Sequence, residues 1–110
     1  MASVPIYAVV LITTGTEEEA GDIGRALVEG RLAACVNYLN EVRSLFRWKG
    51  KVESAHETLL VVKTRVSLLP RVVEAVKQAH SYDVPEIIAL PVISGSAEYL
   101  EWLAKETDSG

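Results

Sequence analysis

The segment from Arg31 to Thr64 decides how the rest of the chain must be arranged. It opens Arg31-Leu32-Ala33-Ala34-Cys35-Val36-Asn37 and runs through a mixed polar and apolar stretch to Phe46. It continues Arg47-Trp48-Lys49-Gly50-Lys51 and returns through Leu59-Leu60-Val61-Val62-Lys63-Thr64. Two strand-like arms meet at Lys49-Gly50, where glycine can take the positive φ of a tight hairpin. Each arm of about 15 residues would span roughly 50 Å, whereas a compact domain of this length is only about 35 Å across. Either a bulge near Asn40-Glu41 folds the hairpin back, or its far half packs on another chain.

The flanking segments set the frame for this hairpin. Ile6 to Ile12 is a short, continuous apolar run, which predicts a central strand buried on both faces. Thr16 with Glu19 three residues on is a capping box, and Ala20, Ile23, Ala26 and Leu27 repeat at helical spacing up to a stop at Gly30. The return arm, Leu59 to Val62, is again continuously apolar and belongs mid-sheet. The outgoing arm carries Asn37, Tyr38, Asn40, Glu41 and Arg43 and reads as an edge. Ser67-Leu68-Leu69-Pro70 opens a second helix whose buried stripe is Leu69, Val72, Val73, Val76 and Ala79. Ile87 to Ile93 forms a fourth strand, confined by Pro91 to an edge or bulge. Ser96 starts a last helix that buries Leu100, Leu103 and Trp102.

The order β-α-β-β-α-β plus a terminal helix, with the first and third strands buried, predicts an α+β, ferredoxin-like fold in one domain spanning residues 1–110. Its two long helices would share one face of the sheet. The terminal helix is too short to cover the other face alone, so a second chain is the simplest cover. That agrees with the overlong hairpin and favours oligomerisation over a fold-back.

Composition narrows the function classes. A net charge of −4 gives no general attraction to nucleic acid or anionic membrane. The local exception is Arg43, Arg47, Lys49 and Lys51 at the hairpin tip, where charge on an edge more often blocks aggregation. No apolar run reaches membrane-spanning length, and nothing reads as a signal peptide. A single cysteine excludes an intramolecular disulfide framework and suits a reducing cytosol, so the expected location is cytoplasmic. Glycine-rich phosphate loops, hydrolase elbows and zinc-protease patterns are all missing, so the residues alone make no chemistry visible.

The densest polar cluster is His80-Ser81-Tyr82-Asp83-Val84-Pro85-Glu86, between a helix and a strand, where loops often carry sites. The bland alternative is a helix C-terminus followed by a proline-shaped turn. Lys63 and Glu57 lie on the central return strand. Lys63 either reaches solvent, pairs with Glu57 or Glu86, or receives an anionic ligand. Trp48 at the hairpin tip is a candidate interface anchor. Cys35, between Ala34 and Val36, reads as a buried small hydrophobe rather than a nucleophile. Trp48, Glu57, Lys63, His80, Tyr82 and Glu86 together form the candidate inter-subunit cleft.

Taken in order, the segments Arg31–Asn37, Trp48–Glu53, Glu57–Thr64, His80–Ile88 and Tyr99–Leu103 resemble the CutA divalent-cation tolerance family over nearly the whole chain. The resemblance implies a ferredoxin-like homotrimer similar to the PII signalling proteins, with hairpins packed between subunits and clefts at the interfaces. It implies a non-enzymatic protein whose partner is itself. A divalent metal such as copper is the one candidate cofactor, and none is required for folding. Copper ligands in some bacterial members are a cysteine ending the first strand and a histidine pair before the turn. Ile12 stands at the first of these positions and Ala79 precedes His80, which leaves His80 as the single candidate metal residue. A PII-like sensor of a small anionic metabolite, using Lys63, is the alternative.

Overall fold

The computed structural model describes residues 4–108. The elements are β1 (Tyr7–Thr14), α1 (Glu17–Glu29), β2 (Cys35–Trp48), β3 (Lys51–Arg65), α2 (Leu69–Ala79), β4 (Ile87–Pro91) and α3 (Ala97–Glu106), with a 3-10 turn over Val66–Leu68 before α2. The strands form one antiparallel sheet in the order β2-β3-β1-β4, so β1 and β3 are central and β2 and β4 are edges. This is the ferredoxin-like α+β arrangement expected from the strand pattern.

Strand alternation sorts the sheet into two unlike faces. Ala8, Val10 and Ile12 of β1 and Leu60 and Val62 of β3 are buried, packed with Ala20, Ile23 and Leu27 of α1 and Val72 and Val76 of α2. Each of the Val, Leu and Ile side chains among them contributes about 1.5–3 kcal/mol of burial. The opposite face carries Val9 and Leu11 of β1, only half-buried, with Ile88 and Leu90 of β4 and Leu39 of β2 exposed. The central strands are therefore apolar on both faces but buried on one within a single chain. α3 lies on this second face and buries Leu103, whereas Trp102 stays 42% exposed beside Tyr99, contrary to the sequence expectation. β4 ends at Pro91, short of the predicted Ile93, and Ala79 at the end of α2 is exposed.

Local chemistry explains where the elements stop. The Thr16 side chain accepts the Glu19 N–H, forming half of the predicted capping box. At the other end of α1, Arg31 N–H bonds the Val28 carbonyl and Leu32 N–H the Leu27 carbonyl. That is a Schellman closure. Its left-handed residue is Arg31 (φ 59°) and not Gly30 (φ −79°). Arg31 is held in this costly conformation by a clamp on the chain end. Its guanidinium donates to the Lys105 carbonyl at 2.8 Å, and its own carbonyl accepts Asp108 N–H at 2.9 Å. Arg65 adds two bonds to Thr107, from Nε to Oγ1 at 2.9 Å and from Nη2 to the carbonyl at 3.0 Å. Arg71 pairs with Asp108 at 3.1 Å.

The hairpin keeps its length. Lys49 (φ 50°) and Gly50 (φ 80°) form the two-residue turn between the paired Trp48 and Lys51. A bulge does occur at the expected place: Leu39 pairs Leu59 and Val42 pairs Glu57, so Asn40 and Glu41 stand against the single residue Thr58, with Glu41 at φ 59°. It reverses the side-chain alternation of β2 without folding the arm back, and the longest dimension of the molecule is 44 Å.

The clamp generates the first prediction. Thr107 is almost fully buried, and its hydroxyl both accepts from Arg65 and donates to the Leu103 carbonyl at 3.0 Å. Thr107→Val leaves the Arg65 Nε without its acceptor and should lower unfolding stability by about 1–3 kcal/mol in chemical denaturation.

Candidate functional site: an acidic, aromatic groove at the strand ends

The bulge in β2 builds one wall of the site. Beyond it, the residues sharing a face with Glu57 and Glu53 are Ser44, Phe46 and Trp48, since Phe46 pairs Glu53 and Trp48 pairs Lys51. Without the reversal, Leu45 and Arg47 would take those positions. The other wall is the loop after α2. Between them lies a groove of about 600 Å³ lined by Thr13, Ser44, Leu45, Phe46, Trp48, Glu53, Glu57, Tyr82, Asp83, Val84 and Glu86. Its four charged side chains are all carboxylates, and three aromatic rings border them. A larger hollow of about 720 Å³ runs between α1 and β2. Its charged residues are outward-facing side chains of one helix, which ordinary solvation explains.

His80 anchors the loop wall. α2 stops at Ala79 and His80 turns extended (φ −89°, ψ 140°). Its side chain is 0% exposed. Nδ1 accepts the Tyr82 N–H at 3.1 Å, so that nitrogen carries no proton. Nε2 therefore holds the proton and donates to the Thr13 carbonyl at 2.7 Å. Glu19 of α1 supports the same loop through Oε2, which accepts the Ser81 N–H at 3.0 Å. This is why the capping box is only half made: the carboxylate that would return to Thr16 reaches across to the loop instead.

Tyr82 joins the two walls. Its hydroxyl donates to Glu57 Oε2 at 2.9 Å, and Glu57 is only 8% exposed. A Cβ added at Gly15 would lie 3.2 Å from that hydroxyl, so the turn after β1 has little room for a side chain. Burial, then the hydrogen bond to the Glu57 carboxylate and the charges of Glu57 and Glu19, push the Tyr82 phenol from 10.0 up to about 12.

The structure brings together four of the six sequence-proposed cleft residues: Trp48, Glu57, Tyr82 and Glu86. His80 stands behind them as a support. Lys63 does not join them. It pairs with Val9 and Cys35, at the far end of the sheet, six residues or about 20 Å along β3 from Glu57. Nor is it near Glu86, which precedes the Ile87–Ile12 pair. Cys35 is half-buried beside Tyr99, whose phenol is pushed up by burial and then by the neighbouring thiol. Asp83 belongs to the polar cluster that the sequence singles out, whereas Glu53 and Phe46 were missed as lining residues and Glu19 as the loop's support. The signal for Glu19 was present, but its capping role accounted for it locally.

The fold and groove define a ferredoxin-like protein whose strand-end groove carries carboxylates as its only charged lining residues. Residues 8–106 match the family described as CutA1 divalent ion tolerance protein. The chain is 52% identical over 99 residues to the divalent-cation tolerance protein CutA of Thermus thermophilus, covering 90% of this chain and 96% of that one. It superposes on the solved structure of the Cut A1 protein from Thermus thermophilus with a TM-score of 0.91 at 50% identity, covering 93% and 99% of the two chains. It is 46% identical to the chloroplastic CutA protein of Arabidopsis thaliana, over 90% of this chain but 54% of that relative's length. The chain belongs to the CutA1 divalent-ion tolerance family. The family is named for tolerance and not for a catalysed reaction. Its compartments differ, as the chloroplastic relative shows, and no helix among the described residues is long and apolar enough to cross a membrane.

The phenol supplies a prediction with a definite sign. Because the folded-state value of Tyr82 lies above the unfolded one, its contribution to stability is complete below pH 10 and is lost as pH rises toward about 12. A ring-resonance titration of Tyr82 should show ionisation near 12, and Glu57→Gln should bring it part of the way back toward 10.

Proposed function

We propose that this chain is a homotrimeric, cytoplasmic, non-enzymatic protein that binds divalent cations, with the groove between β2 and the Tyr82 loop lying at the subunit boundary. The observation that carries the reading is the groove lining: Glu53, Glu57, Asp83 and Glu86 supply every charge, and no lysine or arginine is among the lining residues. Such a cleft attracts cations and repels anions. The anionic-metabolite alternative loses its chief support, because Lys63 lies at the other end of the sheet.

The donors fit some metals better than others. A copper site of the imidazole and thiolate kind does not suit these residues. Ile12 and Ala79 offer no donor atom, both His80 nitrogens are engaged, and Cys35 is remote. No three His, Cys, Asp or Glu side chains among the described residues converge closely enough to hold a bare ion. Carboxylates spaced around a groove suit an oxygen-preferring cation that keeps several of its waters.

Assembly is supported by the second sheet face. Leu39, Ile88, Leu90 and Trp102 leave an apolar surface that α3 does not cover, and Phe46 and Trp48 stand on a projecting hairpin. Light scattering on the purified protein should give the mass of three chains, and Trp48→Ala should reduce it. A monomer at micromolar concentration would refute the trimer. Calorimetric titration with Mg(II), Mn(II), Zn(II) and Cu(II) tests the site: Glu57→Gln should weaken binding about tenfold or more, and His80→Ala should act only indirectly. Binding indifferent to Glu57 would remove the groove as the site.

A further inference from the structure

One buried side-chain oxygen among the described residues has no hydrogen-bond partner: Oε1 of Glu19. Buried polar atoms left in this way are uncommon and ask for an explanation. Oε1 lies 3.8 Å from Nδ1 of His80, a nitrogen whose lone pair is taken by the Tyr82 N–H. We propose that Glu19, His80 and Tyr82 form a proton-driven switch, in which a proton on His80 Nδ1 exchanges the Tyr82 bond for one to Glu19 and releases the loop that walls the groove.

The two arrangements can be written out bond by bond. With His80 neutral, Nε2–H donates to the Thr13 carbonyl and Nδ1 accepts from Tyr82 N–H, while Glu19 Oε1 is unpaired. With a proton added at Nδ1, that nitrogen becomes a donor, as imidazolium must be at both positions. The Nε2 bond to Thr13 is unchanged. Nδ1–H now has Glu19 Oε1 as its acceptor, and a small ring rotation closes the 3.8 Å gap. The Tyr82 N–H loses its partner but sits in an exposed turn where water can replace it. Each arrangement thus leaves one polar group without a protein partner, a buried carboxylate oxygen in one and an accessible amide in the other.

The groups facing the ring set the balance. α1 contributes Glu19, which favours the charged form. β1 contributes the Thr13 carbonyl, which accepts from Nε2 in both forms. The loop contributes the Tyr82 amide, which favours the neutral form, and the Tyr82 ring, 4.7 Å away, which favours the cation. Behind Tyr82, Glu57 of β3 holds the phenol. The consequence reaches the groove because Tyr82, Asp83, Val84 and Glu86 all follow the released bond. The switch stands whether the groove binds a metal, another cation or a neighbouring chain.

Nitrogen NMR on the full-length protein tests it directly. At pH 8 a through-bond coupling should connect the Tyr82 amide nitrogen with His80 Nδ1, and the ring should be the Nε2–H tautomer. On acidification to pH 5 the coupling should vanish in step with protonation of the ring, and Tyr82 amide exchange, corrected for its intrinsic pH dependence, should quicken about tenfold or more. Glu19→Gln keeps an acceptor for Ser81 but removes the charge, and should abolish the change over the same range. A ring that stays neutral in the folded protein, a coupling that survives protonation, or a Glu19→Gln variant that responds like the wild type would each overturn the proposal.

Discussion

The register of one hairpin governs this molecule. Asn40 and Glu41 face a single residue of β3, and from that point outward every side chain of β2 changes face. The near half of the strand presents Tyr38 to α1, and the far half presents Phe46 and Trp48 to the side where Glu53 and Glu57 lie. Period-two alternation makes the change all or nothing. The left-handed conformation of Glu41 is the local cost, and pairing on both sides of the bulge holds it in place.

A second constraint joins the groove to the body of the protein. The loop after α2 has no regular structure, yet its geometry is set by a buried imidazole, a carboxylate from α1 and a phenol bonded to β3. Those contacts span residues 13 to 82 of the chain and tie the loop to β1, α1 and β3. They also assign His80 and Glu19 work that differs from what their neighbours in sequence suggest. A histidine ahead of a proline-containing turn looks like a metal ligand or a helix-end charge. In the folded chain it is a spacer whose two nitrogens are both committed.

Much of the architecture was legible beforehand, for definite reasons. Continuous apolar runs at 6–12 and 59–62 mark central strands because strands flanked on both sides in a sheet are shielded from water more than edge strands are. Thr16 and Pro70 mark helix starts because backbone donors there need a partner or must be absent. Other details went the other way, Trp102 and Lys63 among them. Leu103 is the one fully buried side chain of α3, and Trp102 stays outward. Lys63 and Glu57 share a strand and a face, but six residues of extended chain separate them.

The sequence by itself determined the order and type of the elements, which strands are central and which are edges, and the turn at Lys49-Gly50; a bulge near Asn40-Glu41 was only one of two ways it offered to accommodate the long hairpin. These follow from periodicity, capping and backbone preference, which act over a few residues. Only the tertiary structure decided that the groove is wholly acidic, that Lys63 is excluded from it, and that Glu19 serves the loop and not its own helix. Those outcomes depend on which side chains of distant segments meet, and spacing along a chain carries no measure of that distance.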